Sequence, residues 1–209
     1  MKIFFTTSRY DTPSIVEQNV QRVEQVFDNV THLSVIGSVF ETFELLKSLS
    51  TKEFIWIDGD NTVYDSAKEI LDHSSPAIMM TENEYGIIYG HGGIKRCHNN
   101  VILPSLFQTI DVSQHARYVP IKTVGSFHHL GTGWIKIRTI FVEMTKLALR
   151  GDTGKYFLDQ WKTARPDIWN TVEVFLQSNN NLNDVKRILN NRILFKEYYD
   201  SRLCGNLQE

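Results

Sequence analysis

Asp58-Gly59-Asp60 follows directly on Phe54-Ile55-Trp56-Ile57, four apolar residues in a row. Such a run is the mark of a strand buried on both faces. Two carboxylates separated by one residue, set at the end of that strand, make a hard-oxygen cage suited to Mg2+ or Mn2+. If the strand persists through them, Asp58 and Asp60 point the same way, because side chains repeat every second residue. Gly59 between them lets the backbone come close to a ligand. A divalent ion held there can bridge a diphosphate and stabilise the charge that develops as it leaves. With Asn61 the same tetrapeptide also makes an ordinary solvated turn; the buried strand before it is what distinguishes this one.

Two further segments carry chemistry. Tyr89-Gly90-His91-Gly92-Gly93-Ile94-Lys95 has three glycines in four residues, so backbone N–H groups can approach an anion and Lys95 can add charge. Gly92, Gly93 and Lys95 are therefore donor-binding candidates, and His91 is a catalytic candidate that could orient a sugar hydroxyl or a phosphate. The plainer reading is a glycine-rich hairpin turn. In Ser126-Phe127-His128-His129, either histidine could complete the coordination of the metal held by Asp58 and Asp60. In an extended segment neighbours point to opposite faces, so one of His128 and His129 joins the site and the other packs.

The elements that must position these residues begin with Lys2 to Thr7, an apolar strand opening into a polar loop. Helical spacing follows at Ile15, Val16, Val20, Val23 and Phe27, then a strand at Leu33 to Ile36, and a second helix from Val39 to Leu49. Strand-helix alternation ahead of Asp58 implies a mostly parallel sheet covered by helices, with the ligand beyond the carboxyl ends of the strands. Thr6, Ser8 and Arg9, at such an end, join the donor-binding candidates. A helix resumes at Ser66 to Leu71. From Pro76 to Gly125 short apolar runs alternate with Gly and Pro, which reads as antiparallel or mixed strands. From Trp134 helices dominate: Trp134 to Leu149, Lys155 to Trp161, Ile168 to Leu176, and one continuous helix from Leu182 to Tyr199. The expected organisation is a catalytic domain over 1–150, nucleotide-sugar-binding by the resemblance given below, with a helical extension over 151–209 packed on the same domain.

The composition fits that plan. The chain has 209 residues, 42% hydrophobic and 22% charged, enough for a real core. A formal net charge of −2 excludes a protein basic throughout but leaves room for a local basic face. Cys97 and Cys204 are too few for a disulfide framework, no window approaches a membrane span, and the start lacks a signal peptide. A reduced, cytoplasmic protein with no membrane partner is expected.

The three segments together resemble small GT-A-type glycosyltransferases found largely in bacteriophages. The match runs through Phe54 to Asn61, Glu82 to Lys95, Ser126 to His129, and Trp134 to Leu147, the last carried by Trp134, Arg138, Phe141, Glu143, Lys146 and Leu147. It departs at Val142-Glu143, where the family has Arg-Glu, and at Gly131-Thr132-Gly133. The resemblance implies a GT-A-like, Rossmann-type nucleotide-sugar-binding sheet with a helical C-terminal region, a UDP-sugar donor, and Mn2+ or Mg2+ as cofactor. It also implies, as acceptor, 5-hydroxymethylcytosine in double-stranded phage DNA, free or already glycosylated, and so the host-cell cytoplasm if the protein is phage-encoded.

Lys186 and Arg187, within a C-terminal basic stretch that includes Arg192, Lys196 and Arg202, are the acceptor-binding candidates, since lysine and arginine contacts to phosphate underlie sequence-independent DNA affinity. The alternative is an amphipathic helix with a solvated polar side. Glu82, Glu84 and Asp111 are candidate bases for an inverting mechanism. Three other functions compete: the same transfer to a glycan acceptor, a nucleotide-binding module without activity, and a haloacid-dehalogenase-like phosphatase. The last fits the short pattern Ile57-Asp58-Gly59-Asp60-Asn61-Thr62-Val63, although that fold usually carries the motif on its first strand.

Overall fold

The computed structural model describes residues 1–35, 39–50, 52–73, 76–90, 93–98, 119–151, 158–179, 181–205 and 207. β1 (Lys2–Ser8), α1 (Pro13–Val26), β2 (Val30–Val35), α2 (Val39–Ser48) and β3 (Glu53–Asp58) form two strand-helix units leading to a third strand. Pro13 sits in the first turn of α1, where a missing N–H costs nothing. β1 runs parallel to both neighbours, with Ile3 opposite Val30 and Ile55.

Period-two alternation then sorts the side chains. Ile3, Phe5, Ile55 and Ile57 pack with Val23 and Val26 of α1. Phe4, Phe54 and Trp56 pack with Phe43 and Leu46 of α2. Helices thus cover both faces, which is why Phe54 to Ile57 is apolar without a break.

Beyond β3 the sheet becomes mixed. β4 (Asn61–Val63), a 3-10 helix (Asp65–Asp72), β5 (Ala77–Asn83), β6 (Ile88–Tyr89), β7 (Ile94–His98) and β8 (Val119–His128) follow. Among the described residues the strand order is β2-β1-β3-β7-β5-β8-β4, with β6 on β5. β7 is antiparallel to both β3 and β5, β8 is parallel to β5, and β4 is antiparallel to β8. The α/β class with a mixed second half is as expected.

Two local expectations are corrected. The strand does not persist through Asp60: β3 ends at Asp58, and the chain turns at Gly59-Asp60 into β4. Gly59 is needed for a close approach to β1, since a Cβ there would lie 2.8 Å from the Thr6 carbonyl oxygen, to which the Gly59 N–H donates. The hairpin-turn reading of the glycine-rich segment stops at Ile94, where a strand in the middle of the sheet begins.

The described residues up to His129 form one compact unit and those from Leu130 onward a second, so the division falls ahead of the expected boundary at 150. The second unit is helical: α3 (Gly133–Arg150), α4 (Leu158–Ala164), α5 (Pro166–Ser178), α6 (Leu182–Asn190) and α7 (Arg192–Tyr198), then a π turn over Tyr199–Leu203. Phe141 of α3 meets Phe175 and Phe195 edge-on, at ring centroids 5.3 and 5.5 Å apart, which places α3 with the C-terminal helices. Gly151, at φ 71°, ends α3 with its N–H on the carbonyls of Ala148 and Leu147. The expected single helix from Leu182 to Tyr199 is broken at Asn191, whose side chain accepts from the N–H groups of Ile193 and Leu194 and so starts a new helix. No described helix is long and apolar enough to cross a membrane.

Candidate active site

Thr6, Ser8, Asp58, Glu82, Lys95 and His128 lie on strands, and Arg9, Asp60, Glu84, Gly93 and His129 lie directly beside strand ends, whereas His91, Gly92 and Asp111 lie outside the described residues. The backbone of Asp58-Gly59-Asp60 is held by four hydrogen bonds. Asp58 N–H donates to the Gly93 carbonyl (2.9 Å), Gly59 N–H to the Thr6 carbonyl (2.8 Å), and His129 N–H to the Asp60 carbonyl (2.8 Å). The Gly59 carbonyl accepts from Asn19 Nδ2 at 2.8 Å. Asn19 is fully buried on the inner face of α1, a polar residue on an apolar stripe, and sequence reasoning passed it over.

The two carboxylates go different ways. Asp58 pairs with Lys95, Nζ to Oδ2 at 2.8 Å, and the ammonium also sits 3.9 Å from the Trp56 ring centre. Trp56 in turn donates its indole N–H to Thr6 Oγ1 at 2.8 Å. Thr6 and Lys95, both expected to face the donor, are thus occupied in supporting β3. Burial pushes the Asp58 carboxyl up from 3.8 to about 6, with Lys95 pulling it down and the like charge of Asp60 adding to the rise.

Asp60 meets His128 instead, with Nε2 3.3 Å from Oδ2, while its Oδ1 accepts from Asn61 Nδ2 at 2.7 Å. Asn61 is fully buried, and its Oδ1 faces the hydroxyls of Ser126 (3.3 Å) and Thr81 (3.4 Å). Gly93 makes room for it: a Cβ at 93 would lie 2.5 Å from Asn61 Cγ and 2.6 Å from Nδ2. His128 is 1% exposed, and its Nδ1 lies 2.6 Å from the Tyr89 hydroxyl.

His129 faces elsewhere, as the alternation required. Thr62 Oγ1 gives its one proton to Asn19 Oδ1 (2.6 Å), so His129 Nε2 must donate to Thr62 (2.7 Å). Burial lowers the pKa of His129, against the opposing field of Glu84. At the end of β1, Ser8 donates its N–H and Oγ–H to Asp11 (2.6 and 2.9 Å), and Arg9 donates to the Tyr10 hydroxyl (2.7 Å). Asp11, which the sequence reading did not single out, comes within 3.1 Å of where a Cβ on Gly59 would sit.

The expected metal cage of Asp58, Asp60, His128 and His129 is therefore not assembled as a group. Among the described residues no three His, Cys, Asp or Glu side chains could hold an ion by themselves. What the site does present is Asp60 Oδ2 and His128 Nε2 side by side. Two protein donors, with phosphate oxygens and water completing the shell, are a set that Mg2+ or Mn2+ accepts, so these residues fit the implied ion.

In the second unit, Lys186 is half-buried on α6 and Arg187 is exposed, 3.5 Å from Asp184. Lys196 pairs with Asp200 (2.6 Å to Oδ2), and Lys162 lies 4.0 Å above the Trp169 ring centre. Acidic neighbours thus interrupt the basic stretch. In the sheet, two strand-helix units precede Asp58 and an antiparallel β7 lies beside it, which is not the first-strand placement of the phosphatase alternative.

No family model matches the chain, and no curated protein matches it. Solved structures do. One is described as a glycosyltransferase involved in the glycosylation of the major capsid of PBCV-1; it aligns with 69% of this chain and 100% of its own at 15% identity and a TM-score of 0.39. A likeness that loose carries no argument, and the site is read from its own residues.

Proposed function

We propose that this protein is a glycosyltransferase using a nucleoside-diphosphate sugar, a UDP-sugar as the sequence resemblance implies, with the donor diphosphate at the carboxyl edge of β3. The observation that carries the reading is the convergence of Asp60 Oδ2 and His128 Nε2, 3.3 Å apart, beside a turn held by four hydrogen bonds to its backbone. Asp60 and His128 would hold Mn2+ or Mg2+, which supplies the positive charge that neutralises the departing diphosphate. Asp58 holds Lys95 in place, and that ion pair keeps a second cation next to the same edge. Gly92 and His91 complete the donor side in this reading, and the enzyme works in the cytoplasm, the host's if it is phage-encoded.

For the acceptor we propose 5-hydroxymethylcytosine in double-stranded DNA, free or already glucosylated, with Lys186 and Arg187 meeting backbone phosphates. The experiment is mass spectrometry of nucleosides after incubating the protein with UDP-sugars and such DNA. A gain of one hexose or pentose supports the assignment. The acid-paired state of Arg187 and Lys196 favours a second reading, the same transfer to a glycan. Donor consumption with no gain on DNA, and a product on a glycan, would move the acceptor there.

A further inference from the structure

Tyr89 ends the two-residue strand β6, which lies on the edge of β5 opposite to β8. Its side chain reaches across β5 to His128 at the end of β8, hydroxyl to Nδ1 at 2.6 Å, and both residues are buried, 6% and 1% exposed. On the far side of the imidazole, Nε2 faces Asp60 Oδ2 at 3.3 Å. An ionised carboxylate only accepts, so in the neutral ring Nε2 carries the proton and Nδ1 accepts from the Tyr89 O–H.

A cation bound at Nε2 requires the opposite arrangement. Its lone pair must face the ion, and the ring proton sits on Nδ1. A phenol is both donor and acceptor, so rotation of one O–H bond lets Tyr89 satisfy Nδ1 in either tautomer. A backbone carbonyl or a carboxylate at that position would serve only the second. We infer that Tyr89 is a positioning residue: it pins the Nδ1 edge of His128 while Nε2 exchanges Asp60 for a divalent cation. The inference rests on the reading of Asp60 and His128 as cation ligands.

The test uses the full chain labelled with 15N-histidine and freed of metal, compared with Tyr89→Phe. Long-range 1H–15N correlation should show His128 protonated at Nε2 and hydrogen-bonded at Nδ1. In the variant the Nδ1 signal should move to that of an unbonded lone pair while the other histidines keep theirs. Calorimetry with Mn2+ alone should show affinity about 10- to 100-fold weaker in Tyr89→Phe, the usual loss when a ligand's outer partner is removed. Mg2+ added to the wild-type protein should move the ring proton to Nδ1. The inference is overturned by an identical Nδ1 signal in both proteins, by equal Mn2+ affinity, or by a wild-type protein that binds no Mn2+. If Tyr89→Phe does not fold, the wild-type spectra decide: an Nδ1–H tautomer without cation, or no proton movement on adding Mg2+, overturns it. Sugar transfer measured on the same wild-type sample keeps the two readings apart. Transfer alongside an overturning result removes only the role of Tyr89, and the predicted spectra without transfer remove only the transferase.

Discussion

Gly93→Ala adds one methyl group at the point where β7 crosses the site. The new Cβ would lie 2.5 Å from Asn61 Cγ and 2.6 Å from Nδ2, far inside van der Waals contact, and Asn61 is fully buried. To accommodate it, Asn61 must give up its 2.7 Å bond to Asp60 Oδ1, a hydrogen bond to a charged group worth about 1.5–3 kcal/mol. Overpacking a filled interior adds about 1–3 kcal/mol. The expected loss is therefore about 2.5–6 kcal/mol, large against the stability of a typical domain. Urea unfolding followed by circular dichroism measures it. Asn61→Ala removes the obstacle and should itself cost about 1–3 kcal/mol. Adding Gly93→Ala to that variant should then cost almost nothing, so the pair couples strongly. A Gly93→Ala protein within about 0.5 kcal/mol of wild type, or additive effects in the double variant, would refute this packing account. Reduced donor affinity at unchanged stability would return Gly93 to the anion-contact role expected from the sequence.

Other outcomes follow from single contacts. Glu53 accepts from Arg96 at 2.6 Å, and that hydrogen bond lowers its pKa below 4.5. Its stabilisation is present above the unfolded pKa and is lost as pH falls through the folded one, so Glu53→Gln should be less stable than wild type at pH 7 with the gap closing below about pH 4. Asn191→Ala removes the side chain that caps α7 and should lower stability by about 1 kcal/mol in thermal unfolding. Asn19→Leu keeps the branched shape but strips the Gly59 carbonyl and the Thr62 hydroxyl of their Asn19 partner; it should lower turnover more than donor affinity, read as separate changes in kcat and KM. Lys186→Glu with Arg187→Glu should weaken DNA binding and flatten its salt dependence if the C-terminal helices meet phosphate, and leave both unchanged if the acceptor is a glycan.

What the sequence revealed and what it hid divide along a physical line. β1 and β3 were legible because burial on both faces leaves an unbroken apolar run, as in Phe54 to Ile57. β7 was not, because Ile94-Lys95-Arg96-Cys97-His98 is as basic as a surface loop. It lies mid-sheet because Lys95 finds Asp58, and Arg96 finds Glu53 and the carbonyl of Leu71, partners distant in sequence. Asn19 was invisible for the same reason: its carbonyl partner, Gly59, is 40 residues away. The parity of His128 and His129 could be read in advance, and the two rings do diverge. Which one faces Asp60 could not, since that depends on the β4–β8 register, with Asn61 opposite His128. The break before α7 had a local signal, an asparagine followed by Ile193 and Leu194, that helical periodicity overrode.

The most direct measurement of the central claim is release of UDP from a panel of UDP-sugars by the wild-type protein and by Asp60→Ala, each with Mn2+ and with excess chelator. Asp60 is a turn residue whose side chain is 37% exposed, so its truncation opens no core cavity, and circular dichroism should show the variant folded. The account predicts UDP release by the wild-type protein with Mn2+, and none with chelator or from Asp60→Ala. Equal release by the folded variant, or no turnover of any nucleotide sugar by the wild-type protein, would contradict it.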